Sequence, residues 1–383
     1  MAAHSRRRFL CHAATIASAA RVAPQIFAES RASKGETMRR AEAMEEALEL
    51  LAKTGPEYAG RLANHGPMAA EALVALDRPD AVVPWVEAYR RRLCEHPSVT
   101  RPIDPKAWRE ALGDGGRVGD WIAFFDRQVG GQPWKEILVE WVPRLSPGVI
   151  AAAFHGVIRT AHAVRSLGVE ETRARRREFA EGLGYWAATY EALPESAEPG
   201  TGHRMPSAAI GGVASLPADR QIGGGNITDR LAPLDHFPPF AGVADMVDTT
   251  GDSPGFISDM TETFAAVYLA NVPPGSVITY IHAVTGPSAI RLLLPHLDAK
   301  ARAALLRYGW QGAAALYAAS GGKWPSPTPV PAEKGGREDL VDRAVATGDE
   351  HAIKFTEACL REYALNPKPV YLAAARAAVA RLG

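Results

Sequence analysis

The sequence predicts an all-α protein: a multi-helix globular bundle with one long irregular segment. Three observations predict it. Apolar residues recur at helical spacing through most of the chain. Glycine, proline and aspartate punctuate those stretches where helices should stop and start. The composition, 47% hydrophobic and 22% charged, is that of a chain able to bury a core. No repeat of fixed period is present, so a solenoid is not expected.

The whole chain also excludes some classes. Its 383 residues carry a formal net charge of zero, which argues against nucleic acid as a partner. Cys11, Cys94 and Cys359 are widely spaced and form no disulfide framework or CxxC pair. No uninterrupted run of about 18 apolar residues occurs, so no membrane span is expected.

Residues 1–37 read as a targeting segment, and 38–383 as the helical domain. Ser5-Arg6-Arg7-Arg8-Phe9-Leu10 fits the twin-arginine export pattern and precedes a mildly apolar stretch. The expectation is export to the periplasm; a basic tail on a cytoplasmic protein is the alternative. From Met38 the pattern is helical up to a glycine stop. At Asn64-His65-Gly66-Pro67, Pro67 suits a helix's first turn and puts His65 at its start. The helix dipole there favours the neutral imidazole, the form that binds metals. A loop histidine is the plain alternative.

Residues 80–145 read as amphipathic helices rich in tryptophan and arginine, with the tryptophans expected in the core rather than around a pocket. Asp114, Arg117 and Asp120 read as ion-pairing groups. The stretch 148–167, GVIAAAFHGVIRTAHAVRSL, reads as one buried helix. His155, Arg159 and His162 stand at i, i+4 and i+7, within about 60° of one another on one face. Polar groups inside an apolar helix need partners: a metal, a substrate, or carboxylates from elsewhere. Core histidines bonded to backbone carbonyls are the alternative.

A charged helix follows. Residues 194–240 are rich in Pro, Gly and Ser and read as a long loop able to act as a lid, with His203 and His236 exposed. Gly223-Gly224-Gly225 matches no phosphate-loop pattern. Residues 251–270 form a helix. His282 lies in a further apolar helix expected to break near Gly286-Pro287. A small-residue helix and a Pro-rich surface insert come next. Finally His351 and Lys354, at i and i+3, share a helix face. Two cations there would repel, so the pair fits a neutral His351 beside a Lys354 that is neutral or modified. A neutral lysine amine adds carbon dioxide to give a carbamate, an anionic oxygen ligand. A solvated Lys354 paired with Glu350 or Glu357 is the alternative.

Four histidines, His65, His155, His282 and His351, thus sit at helix starts or in apolar helices, each on a different helix. Bundles build metal sites in this way, and imidazole-rich sets suit iron, zinc, copper or nickel. The chain here resembles the questin oxidase family. The motifs are Asn64-His65-Gly66-Pro67, Phe154-His155-Gly156-Val157-Ile158-Arg159, Ile281-His282-Ala283-Val284-Thr285-Gly286 and Asp349-Glu350-His351-Ala352-Ile353-Lys354, in order across about residues 40–380. The resemblance implies an all-helical oxygenase acting with O2 on aromatic polyketides in a Baeyer–Villiger-like oxidation. It also implies a non-haem iron held by His65, His155, His282, His351 and a carboxylated Lys354. Arg159 departs from the family, which often places a second histidine there; His162 is the residue able to stand in for a ligand.

Three readings follow. In an oxygenase, Arg159 would hold a phenolate or developing oxyanion, and because no dinucleotide fingerprint is present, any NADPH would act through a separate reductase or bind unconventionally. In a hydrolase, the metal would activate water, and oxygen uptake separates the two. In a non-catalytic helical protein, the histidines would be satisfied core residues.

Overall fold

The helical spacing becomes helix almost throughout. A computed structural model describes residues 34–197, 200, 202–271, 277–324 and 336–383. In order they form α1 (Lys34–Leu51), a two-residue antiparallel pair β1 (Glu57–Tyr58) and β2 (Leu62–Ala63), then α2 (Gly66–Ala75), α3 (Pro79–Tyr89), α4 (Val118–Gly131) and α5 (Trp134–Leu145). Next come α6 (His155–Val169), α7 (Arg173–Ala188), α8 (Pro206–Ala209), α9 (Ile227–Leu231), α10 (Ser253–Ala270) and α11 (Val277–Leu293). The chain finishes with α12 (Ala299–Ala319), α13 (Arg337–Ala346), α14 (Glu350–Leu365) and α15 (Pro369–Leu382). Residues 39–383 make one compact unit; of the other, 1–38, only residues from 34 onward are described, so the twin-arginine motif lies outside the described residues. The same holds for residues 325–335 of the Pro-rich insert.

Four helices make a closed ring at the centre. α2 packs on α6 and α14, and α11 packs on the same two. α7 covers α6, while α10, α12 and α15 close the outside of α11 and α14. Each ring helix contributes one of the four histidines. The tryptophans of α4 and α5 are core: Trp121 and Trp141 are buried, and Trp141 meets the Phe125 ring edge-on at 4.8 Å.

Several sequence expectations are corrected. Residues 148–154 are not α-helical: a 3-10 turn (Ser146–Gly148) leads into Ala152, Ala153 and Phe154 with φ of 47°, 56° and 69°. α6 therefore starts at His155. α11 does not break at Gly286-Pro287 but runs through both. Gly286 has a packing role instead, since a Cβ there would lie 2.5 Å from Cγ of Phe154. Within 194–240, residues 206–240 carry a series of short helical turns, with Leu231, Leu234 and Phe240 buried. It is fixed to α12, where Leu216 N–H donates to the Ala318 carbonyl at 2.9 Å. Trp108–Ala111 is a 3-10 turn rather than an α-helix.

Among the described residues, one stretch, Val277–His296, is long and apolar enough to cross a membrane, with mean hydropathy 1.3. Its most apolar part is 83% buried inside the protein, as a central core helix should be. Thr279, His282, Ser288 and Arg291 interrupt it, so it shows no unbroken apolar run.

Candidate metal centre

Each ring helix delivers its histidine by a different local device. At α2, the Asn64 amide donates to the Gly55 carbonyl at 2.8 Å and its oxygen accepts from Gly66 N–H at 2.9 Å. His65 is then the N-cap residue, and its own N–H donates to the Tyr89 hydroxyl at 2.8 Å. Gly66 allows close packing here, because a Cβ would sit 2.9 Å from the Leu51 side chain and displace it. At α6, the left-handed turn aims Phe154 between two helices. A Cβ on Gly286 of α11 or Gly312 of α12 would meet its ring at 2.5 or 2.6 Å. Left-handed alanine and phenylalanine cost roughly 1–2 kcal/mol each, and the buried Phe154 ring holds that strained turn in place. His155 follows as the first residue of the helix. At α14, Asp349 caps the helix by accepting from His351 N–H at 2.7 Å and Ala352 N–H at 3.0 Å. His282 comes from the body of α11.

The four rings form a cluster. His65 lies 4.5 Å from His155 and 4.5 Å from His351, centroid to centroid. His282 lies 4.6 Å from His155 and 5.5 Å from His351. Lys354 Nζ is 2.7 Å from His65 Nδ1. Lys354 is buried and, among the described residues, makes no salt bridge; the alternative of a solvated lysine paired with Glu350 or Glu357 is thereby removed. Burial pushes its pKa down to about 7, against the pull of Glu350 and Asp349. Burial also holds His65, His155 and His282 well below the ordinary imidazole value, with Lys354 and the other rings adding to the effect.

The tautomers decide what the cluster can hold. His155 Nδ1 faces the Ala152 carbonyl, and His282 Nδ1 faces the Ile278 carbonyl at 2.7 Å. A carbonyl only accepts, so both Nδ1 atoms carry the proton and both Nε2 atoms present lone pairs. Those lone pairs face each other across 3.1 Å. Neutral rings have no second proton to share there, and burial disfavours a charged one. A cation answers the mismatch. Two imidazole nitrogens bound to one metal at about 2.0–2.1 Å stand roughly 3 Å apart. Metal-bound histidines also usually donate their other N–H to a carbonyl or carboxylate. Asp349 Oδ1, 3.5 Å from His351 Nδ1, is placed for that role. The donor set fits a transition metal.

Sequence reasoning missed Glu350 as a site residue. One ligand atom each from His65, Glu350 and His351 lies within 4.8 Å of the others. Glu350 is buried, and its carboxylate accepts from Arg92 Nη2 at 2.8 Å. Its place next to His351 was the available signal; its inward turn was not readable.

Arg159 and His162 are engaged elsewhere. Arg159 forks onto Glu178, with Nε and Nη2 at 2.6 and 2.8 Å from its two oxygens. His162 Nδ1 meets Glu71 at 2.7 Å. They share a face with His155, but helical rise puts His162 about 10 Å further along the axis. Of the partners left open for this face, carboxylates are the ones Arg159 and His162 find, so the two residues expected to be catalytic are not brought to the histidine cluster. The Arg159 fork leaves Nη1 without a hydrogen-bond partner. His162 belongs to a buried polar chain in which Arg165 bonds both Glu71 and Glu357, and Arg361 links Glu357 to Glu362, the partner of Arg291.

No protein-family model matches this chain, and no curated protein is significantly similar to it. The resemblance to the questin oxidases therefore rests on the four motifs, whose histidines come together in one cluster.

Proposed function

We propose that the chain is a metal-dependent oxygenase of the questin oxidase type. In this reading, His65, His155, His282, His351 and Lys354 hold a non-haem iron, and the substrate is an aromatic polyketide oxidised by O2. The observation that carries it is the 3.1 Å approach of Nε2 of His155 to Nε2 of His282, two rings whose Nδ1 atoms both face carbonyls. Satisfied core histidines would have no reason to adopt that arrangement, which weighs against a purely structural role.

The chain's own residues perform the preparatory chemistry. The carbonyls of Ala152 and Ile278 fix the tautomers of His155 and His282. Lys354, with its pKa near 7, has a large neutral fraction at neutral pH. Its amine forms an N–C bond to carbon dioxide and releases one proton, leaving a carbamate. Three helix starts, those of α2, α6 and α14, bring their histidines to the cluster, and their positive ends favour an anion there. Iron, when bound, supplies one-electron chemistry with dioxygen. Inserting one oxygen atom and reducing the other to water needs two electrons, which we assign to NADPH acting through a separate reductase.

Glu350 favours a second reading. It gives the cluster a carboxylate that a water-activating hydrolase would use as a general base. One experiment separates the two. Metal content is measured on tag-free protein and on His351→Ala, and oxygen uptake is followed with 1,8-dihydroxyanthraquinone and a reductase. Near-stoichiometric iron that falls in the variant, with substrate-dependent uptake, supports the oxygenase. Stoichiometric zinc without uptake supports the hydrolase. No metal after anaerobic iron reconstitution sinks both.

A further inference from the structure

We propose that the His96–Glu181 pair is a proton-dependent latch: it ties the largely exposed segment 94–101 to α7 while the ring keeps both its protons, and frees the segment when one of them leaves. This goes beyond the metal reading and does not depend on it.

The His96 ring is clasped at both nitrogens. Nδ1 stands 3.0 Å from the Pro97 carbonyl, and Nε2 stands 2.9 Å from Oε1 of Glu181. A carbonyl only accepts, and so does an ionised carboxylate. With Glu181 ionised, both nitrogens carry protons and the ring is a cation. Glu181 is buried, whereas the His96 side chain is 33% exposed and reaches solvent. Arg159, the other cation at Glu181, forks onto Glu178 at 2.6 and 2.8 Å and reaches Glu181 only at 3.5 Å. Two buried carboxylates thus share two cations, and one of those cations can lose its charge near neutral pH. A neutral imidazole has a single N–H. It keeps one bond, loses the other and leaves Glu181 short of countercharge, which a buried carboxylate tolerates poorly.

The other ties of the segment keep their charge in that range. His96 N–H donates to the Lys53 carbonyl at 2.9 Å, and the Cys94 carbonyl accepts from Gly55 N–H at 2.8 Å. Thr100 and Arg101 N–H donate to Asp120 of α4 at 2.7 and 2.9 Å. Burial pushes the Asp120 carboxyl up, yet these bonds and Arg117 hold it below the ordinary 3.8. Arg117 and Arg159 stay cationic. Lys53 stands with Cys94 and Glu95 in one surface recess, on the flank of His96. The Glu181 bond raises the His96 pKa above the ordinary 6.5, against burial and Arg159. The pair's contribution is therefore full below about 6.5 and is lost as pH rises through the raised folded value. The segment backs the support of His65. Gly55, bonded to Cys94, offers its own carbonyl to the Asn64 side chain, whose oxygen accepts from Gly66 N–H at the start of α2.

The test is hydrogen exchange by mass spectrometry on the full chain from about pH 6 to about pH 9, corrected for intrinsic rates. Backbone amides of the peptide spanning 94–101 report the segment, and exchange at the His96 ring carbon reports its titration on the same samples. Protection of the peptide is expected to fall about tenfold or more as His96 titrates, the size of one charge-assisted hydrogen bond. His96→Gln, whose amide does not titrate, should show protection that no longer changes with pH. Glu181→Gln should bring the His96 titration down towards 6.5. Circular dichroism confirms that each variant is folded; if Glu181→Gln is not, the wild-type titration and His96→Gln decide. Wild-type protection that is level across the range, a His96 that titrates at or below 6.5, or a pH-dependent loss that persists in His96→Gln overturns the proposal.

Discussion

The Nε2 atoms of His155 and His282 face each other at 3.1 Å while both Nδ1 atoms face carbonyls. With both rings neutral and protonated on Nδ1, this is a repulsive contact between two lone pairs in the metal-free chain. Replacing one ring with an apolar side chain should relieve it. His282→Leu is expected to raise the melting temperature of metal-free protein by a few degrees. Groups that merely orient ligands are worth about 10–100-fold in metal affinity, so losing His282 itself should cost more than about 100-fold. Scanning calorimetry and chelator competition read the two effects; a variant that is less stable and binds metal normally would count against the arrangement.

Lys354 should destabilise the metal-free fold at neutral pH. Its folded pKa, about 7, lies below the ordinary 10.5 because burial penalises the ammonium. The native state therefore binds fewer protons than the unfolded chain between those values. The stability this residue allows is complete above about 10.5 and is lost as pH falls to about 7. Lys354→Met is expected to raise metal-free stability at pH 7 by roughly 1–4 kcal/mol, the range seen when buried charge is replaced by packed apolar groups. It should also abolish metal retention. Urea melts of metal-free protein at pH 7 and pH 10 check it: the gain should shrink at the higher pH.

Gly286→Ala should act on His155 through Phe154. The new Cβ would stand 2.5 Å from Cγ of a fully buried ring that has no room to retreat. Overpacking of this kind costs about 1–3 kcal/mol. Displacing Phe154 also shifts the left-handed turn and the residue after it. We expect a lower urea midpoint together with weaker metal binding. A stability loss with unchanged metal affinity would show that the turn does not position His155.

Acid should unfold the metal-free protein in two stages. His65, His155 and His282 are held below the ordinary 6.5, chiefly by burial. Their contribution is full above about pH 6.5 and is lost as pH falls toward their folded values. Burial pushes Glu357 and Glu71 up, yet Arg165, with Arg361 at Glu357 and His162 at Glu71, holds both below the ordinary 4.5. Their contribution is full above about 4.5 and is lost below it. Urea midpoints measured from pH 8 to pH 3 should fall in both windows. Glu357→Gln should flatten the lower window and leave the upper one; a midpoint independent of pH between 7 and 4 would remove the upper window.

The fold class and the four histidines were legible because each depends on local chain chemistry. His65 beside Pro67 reads as a helix start whatever surrounds it, and α2 begins at Gly66. His351 and Lys354 share a face by spacing alone. Three features were not legible. The turn at Ala152–Phe154 reads as helix because alanines favour helix, and the Phe154 ring between Gly286 and Gly312 overrides that preference. Pro287 reads as a break, yet packing on α6, α10, α12 and α14 keeps α11 continuous. His162 and Arg159 read as partners of His155, and position along the helix axis separates them.

By itself the sequence determined that the chain is helical, where most helices begin, and which imidazoles are drawn away from water, because propensity, capping and periodicity act over a few residues. Only the tertiary structure decided that the four imidazoles meet, that two present bare nitrogens to each other, and that Glu350 turns toward Arg92. Those outcomes depend on α2, α6, α11 and α14 closing into a ring, and no local rule encodes the distance between residues so far apart in the chain.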